Sequence, residues 1–245
     1  FLGRSAGHDA TSSNQVAVGQ NAGYFSTGSN SVYVGYQAGA TNTSGTNNVA
    51  IGYQSLYDST TGIQNVSLGA VSLTNNTTGF NNASVGWASL FSNTTGSRNV
   101  AVGPQALYSN TTASNNTAVG YQSLYANTTG TQNNAFGYAA LSSITTNNYS
   151  NAFGFGALRY NTGQSNAAFG DSAATGTSGS STGTGLAAFG ANSLQQNTSG
   201  SYNTGIGNFA LFSNTTASNN TAVGYQSLYT NTSSNNTAVG NLAAK

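Results

Sequence analysis

One histidine and three aspartates, His8, Asp9, Asp58 and Asp171, are the only side chains in 245 residues whose ordinary pKa values lie below about 7. His8 beside Asp9 is the one pairing that could do acid–base work. No third group repeats around that pair, and it lies in an atypical first repeat, so it reads as two solvated loop residues. Serine and threonine are abundant, but none has a histidine placed to activate it, which argues against hydrolase chemistry. The chain has no cysteine, and hence no disulfide framework and no thiolate metal site. No glycine-rich turn is followed by the lysine that a phosphate loop requires. No catalytic residue, metal site or cofactor is expected.

The remaining charges are Arg4, Arg98, Arg159 and Lys245, giving a net charge of +1. Such a sparse set cannot build the basic stripe that neutralises a row of phosphates, so nucleic acid is not an expected partner. No apolar run is long enough to cross a membrane, and no basic and apolar leader is present. With no methionine and with Phe1 entering mid-pattern, the chain reads as an excerpt of a longer protein.

What the sequence does carry is a repeat. The seventeen letters SNTTASNNTAVGYQSLY run from Ser109 to Tyr125 and again from Ser213 to Tyr229. Aligning on the glycine of A-V-G gives Gly3, Gly19, Gly35, Gly52, Gly69, Gly86, Gly103, Gly120, Gly137, Gly154, Gly170, Gly190, Gly207, Gly224 and Gly240, fifteen repeats of about 17 residues. One interval is longer, between Gly170 and Gly190, and TGTSGSSTGTG there reads as a loop bulging from a single coil. The expected organisation is one array over 1–245, with variant coils over 1–45 and the insertion over 171–189.

The three residues before the glycine are large, small, large, as in Val100–Ala101–Val102, and read as a short strand with the two large side chains inward. Four after the glycine stands a leucine column, Leu56, Leu73, Leu90 and onward, read as the inward residue of a second extended strand. The positions one, three and five after the glycine then point outward. N-T-T-G follows as a turn, with asparagine bonding its own backbone and glycine supplying positive φ. Asparagines four before the glycine, such as Asn48, Asn65 and Asn82, are expected to form a side-chain amide ladder from coil to coil.

A unit of this size cannot bury its own apolar side, so it must stack as a parallel β-solenoid of about fifteen coils. At roughly 4.8 Å per coil the array would extend about 67 Å. Two outward aromatic columns follow: Tyr36, Tyr53, Trp87, Tyr121, Tyr138, Phe155 and Tyr225 one after the glycine, and Tyr24, Tyr57, Phe91, Tyr108, Tyr125, Phe212 and Tyr229 five after it. Long apolar stripes rarely stay bare on a soluble protein. They predict packing between chains in a homo-oligomer, most simply a trimer or a filament, with sugar stacking on Tyr36, Tyr53, Trp87, Tyr121, Tyr138 and Tyr225 as the binding alternative. The sequons at Asn93, Asn110, Asn127, Asn214 and Asn231 are candidate glycan acceptors, although N-T-T is also good turn chemistry.

The unit N-N-T-A-V-G-Y-Q-S-L-Y-x-N-T-T-G is similar to repeats of phage tail-fibre proteins, and Val100–Gly103 resembles the N-S-V-A-I-G signature of YadA-like trimeric autotransporter adhesin heads. The resemblance implies a left-handed parallel β-roll, assembled as a homotrimer and displayed on a virion or bacterial surface. The expectation is therefore a non-enzymatic extracellular fibre that attaches multivalently, with host-surface glycans as partners. The alternative is a soluble solenoid that binds ice or carbohydrate.

Overall fold

Three-residue strands ending at the repeat glycine recur through the computed structural model, which describes residues 2–11, 13–177 and 181–244. The chain divides into two compact units, 1–122 and 123–245. In the first, β1 (Val16–Val18), β2 (Val32–Val34), β3 (Val49–Ile51), β4 (Val66–Leu68), β5 (Ala83–Val85), β6 (Val100–Val102) and β7 (Thr117–Val119) pair in parallel, each with the next. In the second, β8 (Asn134–Phe136), β9 (Asn151–Phe153), β10 (Ala167–Phe169), β11 (Ala187–Phe189), β12 (Thr204–Ile206), β13 (Thr221–Val223) and β14 (Thr237–Val239) do the same. Equivalent repeat positions lie side by side, as in Val49↔Val66 and Ala50↔Ser67. No helix occurs among the described residues. The fold is an all-β parallel solenoid with coils of about 17 residues.

The number of turns is slightly lower than the glycine count suggests. Fourteen strands bound about thirteen turns, because the first repeat contributes only an isolated bridge, Leu2 to Val18. Register passes the long interval intact, with Ala167 opposite Ala187. The extra residues there are accommodated between strands, where Asn161 bridges Ser181. Positions 178–180 of the expected loop lie outside the described residues.

The strands face the other way from the expectation. Their middle residue is buried and their outer two are not: Ala50, Ser67, Ala101, Ala135 and Ala152 are fully buried, whereas Ile51 and Val66 are 42% and 38% exposed. A strand alternates faces, so the choice is binary, and the interior decides it. Leu56, Leu73 and Leu90 enter that interior from the following segment and are completely buried, which leaves room only for Ala, Ser or Gly opposite them.

The segment after the glycine is not a second strand. The residues two and four after the glycine have positive φ in coil after coil, for example Gln54 at 49°, Leu56 at 53°, Val71 at 48° and Leu73 at 49°. For a leucine this backbone costs roughly 1–2 kcal/mol, an amount that burying its side chain, worth about 1.5–3 kcal/mol, offsets. The bends break the period of two, so the position three after the glycine turns inward: Ser55, Ser72 and Ser89 are buried, with Ser84 Oγ 2.6 Å from Ser89 Oγ. Backbone bonding to neighbouring coils continues through the bends. Gly52 N and Gln54 N donate to Val34 O and Tyr36 O at 2.8 and 2.9 Å, while Leu56 N and Asp58 N donate to Ser72 O and Thr74 O at 3.0 and 2.8 Å.

The repeat glycine has two reasons to be glycine. Its φ is about 125–142°, and a Cβ on Gly52 or Gly69 would lie 2.4 or 2.6 Å from the carbonyl oxygen of the next coil's glycine. The glycine of N-T-T-G differs from expectation, since its φ is not positive. A Cβ on Gly79 would sit 2.4 Å from Gly96 O, so close stacking of coils is its requirement.

Candidate functional site

Two asparagine columns hold the interior corner, with their roles exchanged relative to the expectation. Asn48, Asn65 and Asn82, four before the glycine, accept on Oδ1 from the backbone N–H of the next coil at 2.9 to 3.0 Å and donate Nδ2 to Gly62, Gly79 and Gly96 carbonyls. The amide-to-amide ladder stands instead at the asparagine of N-T-T-G, where Asn93 Nδ2 donates to Asn76 Oδ1 and Asn110 Nδ2 to Asn93 Oδ1, both at 2.7 Å.

This placement removes most of the candidate glycan acceptors from the surface. Asn93, Asn110, Asn127 and Asn214 are fully buried, and the Nδ2 that would carry a sugar lies inside the coil. Asn231 is half-buried, with its Nδ2 donating to Asn214 Oδ1 at 3.0 Å. Their N-T-T triplets are turn chemistry.

The six nominated aromatic residues are all at the surface. Tyr36, Tyr53, Trp87, Tyr121, Tyr138 and Tyr225 are between 40% and 54% exposed. Tyr36 stacks on Tyr53 with ring centroids 5.4 Å apart and planes within 10°, and Tyr138 stacks likewise on Phe155 at 4.9 Å. The rings turn their faces to one another along the coil-to-coil direction, so a paired ring presents mainly an edge to solvent. A sugar face finds an open ring only where the column is interrupted. The second aromatic column is half-buried and stacked in the same way, with Phe91 on Tyr108 at 5.2 Å and Phe212 on Tyr229 at 5.1 Å.

A third apolar column is the one that sequence reasoning placed inside. In the second unit the strand-end residues Phe136, Phe153, Phe169 and Phe189 form an outward ladder with centroid separations of 4.6, 4.6 and 4.9 Å. In the first unit the same face carries Val16, Ile51, Val66, Val100 and Val102, each more than a third exposed. The signal was available in the size column itself: the middle strand residue is almost always Ala, Ser or Gly, which suits a narrow interior better than it suits an open surface.

No family model, curated protein or solved structure matches the chain. Its surface must therefore be read from its own chemistry. Among the described residues no three His, Cys, Asp or Glu side chains gather in a metal-binding group, and no helix is long and apolar enough to cross a membrane. His8 Nδ1 and Asp9 Oδ1 are 2.7 Å apart, but both side chains are about half exposed, and the His8 ring stacks on Tyr24 at 5.0 Å. Open clefts among the described residues include two. One, of about 470 Å³, lies in the first coils between Tyr24 and Tyr57; the other, of about 420 Å³, lies beside the insertion and is lined by polar residues and Tyr202.

Proposed function

We propose that this chain is a non-enzymatic structural fibre or filament protein of a virion or cell surface, in which repeated coils provide stiffness and multivalent attachment to glycans. The observation that carries this reading is the recurrence of exposed aromatic and aliphatic side chains at the same outward positions in coil after coil. Contiguous exposed apolar patches of this kind mark interaction surfaces. A solenoid offers the same shallow contact at every coil, so weak contacts sum along it. The valine and phenylalanine columns of the strands' outer face supply the surface for packing between copies, as a left-handed homotrimer on the resemblance noted above. The amphipathic tyrosines supply the surface for sugars.

The ice-binding alternative is disfavoured by where the threonine hydroxyls point. Thr60, Thr77 and Thr94 Oγ1 donate to the Thr77, Thr94 and Thr111 carbonyls at 3.0, 3.0 and 3.1 Å and so satisfy the coil itself, while the second threonine of each pair, Thr61, Thr78 and Thr95, is exposed, leaving one solvent-facing threonine per turn where paired ranks are needed. Light scattering coupled to size exclusion tests the oligomer, with a trimer mass expected and a monodisperse monomer overturning it. Retention on a panel of immobilised glycans tests attachment, and no retention on any of them would overturn that part.

A further inference from the structure

The aromatic column five after the glycine is interrupted once in the first coils. His8 stacks on Tyr24 with planes 2° apart, so the opposite face of Tyr24 looks toward the next coil. That coil has Ala40 at this position, buried at 4% exposure, and the coil after it has Tyr57. Phe25 also lines the cleft, its ring centroid 4.5 Å from that of Tyr24 and its plane at 73° to it. The result is a cleft of about 470 Å³ walled by Tyr24 and Tyr57 and floored by Ala40.

Its width is that of one missing ring. Two coil rises separate the walls by about 9.6 Å, so a ring set midway lies about 4.8 Å from each. Neighbouring rings elsewhere in this chain stack at 4.6 to 5.4 Å, so the gap accepts one six-membered ring.

The rim decides what kind of ring. Arg4, Gln20 and Gln37 line it, and Arg4 makes no ion pair among the described residues. An apolar slot with a few convergent polar groups is the ordinary form of a small-ligand site. Gln37 Oε1 already accepts from Gln54 Nε2 at 2.9 Å; an aromatic ring would satisfy the walls but offer Arg4 and Gln20 no hydrogen bond, whereas a pyranose offers apolar C–H faces to the walls and hydroxyls to the guanidinium and amide. Arg4 is the one charged residue that lines the cleft, and its guanidinium N–H groups can donate to sugar hydroxyls.

We infer that the Tyr24–Ala40–Tyr57 gap binds a single pyranose ring. The ligand class rests on the glycan-attachment reading; the location rests on the cleft itself.

The test uses the whole chain with methyl β-glucoside and methyl β-galactoside as probes, and 4-methylphenol as the flat aromatic comparator, followed by saturation-transfer NMR. The variant is Ala40→Tyr. Aromatic residues occupy this position in other coils, so the substitution completes the stack and is compatible with the fold. Ala191→Tyr, at an outward position whose neighbours in adjacent coils are Asp171 and Asn208, is the control. The expected result is saturable binding of at least one glycoside, weakened about tenfold or more by Ala40→Tyr and unchanged by Ala191→Tyr. Arg4→Gln is expected to weaken glycoside binding while leaving any contact of the phenol unaltered. Equal binding by Ala40→Tyr and the parent chain, loss in Ala191→Tyr alone, absence of binding by both glycosides, or binding of the phenol alone would each overturn the assignment. Retention on immobilised glycans that survives Ala40→Tyr would overturn this site while leaving multivalent attachment intact.

Discussion

The ring of Tyr33 occupies the space that a leucine fills in other coils, and Gly39 is glycine to admit it. Tyr33 stands at the middle of β2, where other strands carry Ala, Ser or Gly, and it is fully buried. A Cβ on Gly39 would lie 2.2 Å from Tyr33 Cδ1, and one on Gly23, in the preceding coil, 2.8 Å from Cδ2. The buried hydroxyl is satisfied by Asn42 Nδ2 at 2.5 Å. Volume has moved from the leucine position to the strand, and total packing is conserved.

Tyr33→Ala is therefore expected to lower unfolding stability by about 3–5 kcal/mol, the range for emptying an aromatic site. Adding Gly39→Leu should recover a large part of it, because Ala with Leu is the pairing of the coil at Ala50 and Leu56. Chemical denaturation of the single and double variants measures the coupling. Additive losses would show that the two positions do not share one space.

Gly86→Ala is expected to be severe. The residue has φ 127°, and the new Cβ would meet Gly103 backbone atoms at 2.7 and 2.8 Å, so coils must separate as well as strain. A loss of about 3 kcal/mol or more follows, read as a fall in melting temperature.

In the second unit the amide ladder is interrupted at Ser181 and at Ile144; Ile144 takes the place of an asparagine, and Asn161 Nδ2 is buried with no acceptor. Ile144→Asn supplies that acceptor while sacrificing an apolar side chain, so its net effect should be within about 1 kcal/mol. Asn93→Ala, by contrast, removes a ladder member bonded on both sides and should cost about 2 kcal/mol. Thermal melts that rank Ile144→Asn as the more damaging change would contradict the ladder's energetic role.

Asp58 gives the chain a pH dependence of definite sign. Burial raises its carboxyl above the ordinary 3.8. The folded chain thus holds this proton at a pH where the unfolded chain has released it. The stabilising contribution is fully present below 3.8 and declines as pH rises through the raised value, levelling above it. Asp58→Asn removes the slope. It also places an amide where Asn75, its counterpart in the next coil, donates Nδ2 to Phe91 O at 2.8 Å. The variant is expected to be more stable at neutral pH by on the order of 1 kcal/mol, with the advantage shrinking toward acid. Denaturant midpoints across pH 3 to 7 check it.

The glycine period by itself determined the class of fold. A unit of about 17 residues with one β-branched triplet and a turn cannot close a core, and its recurrence leaves stacking as the way to bury apolar surface. The leucine column was likewise legible as interior, and the tyrosines one after the glycine as exterior. What the periodicity could not settle was which face of the triplet looks inward. Large-small-large fits either face of a strand, and Val102 and Ala101 exchange roles with a shift of one. Tertiary structure chose because leucines bent inward at positive φ leave a narrow interior, which admits Ala101 and expels Val102, Phe153 and Phe169 to the surface. The same bends broke the assumption of a second extended strand and buried Ser55, and they brought Asn93 and Asn110 into the ladder as donors where the sequon pattern suggested open acceptors. The cleft at Ala40 was invisible for a related reason. One alanine in an aromatic column becomes a site only when stacking places Tyr24 and Tyr57 on either side of it.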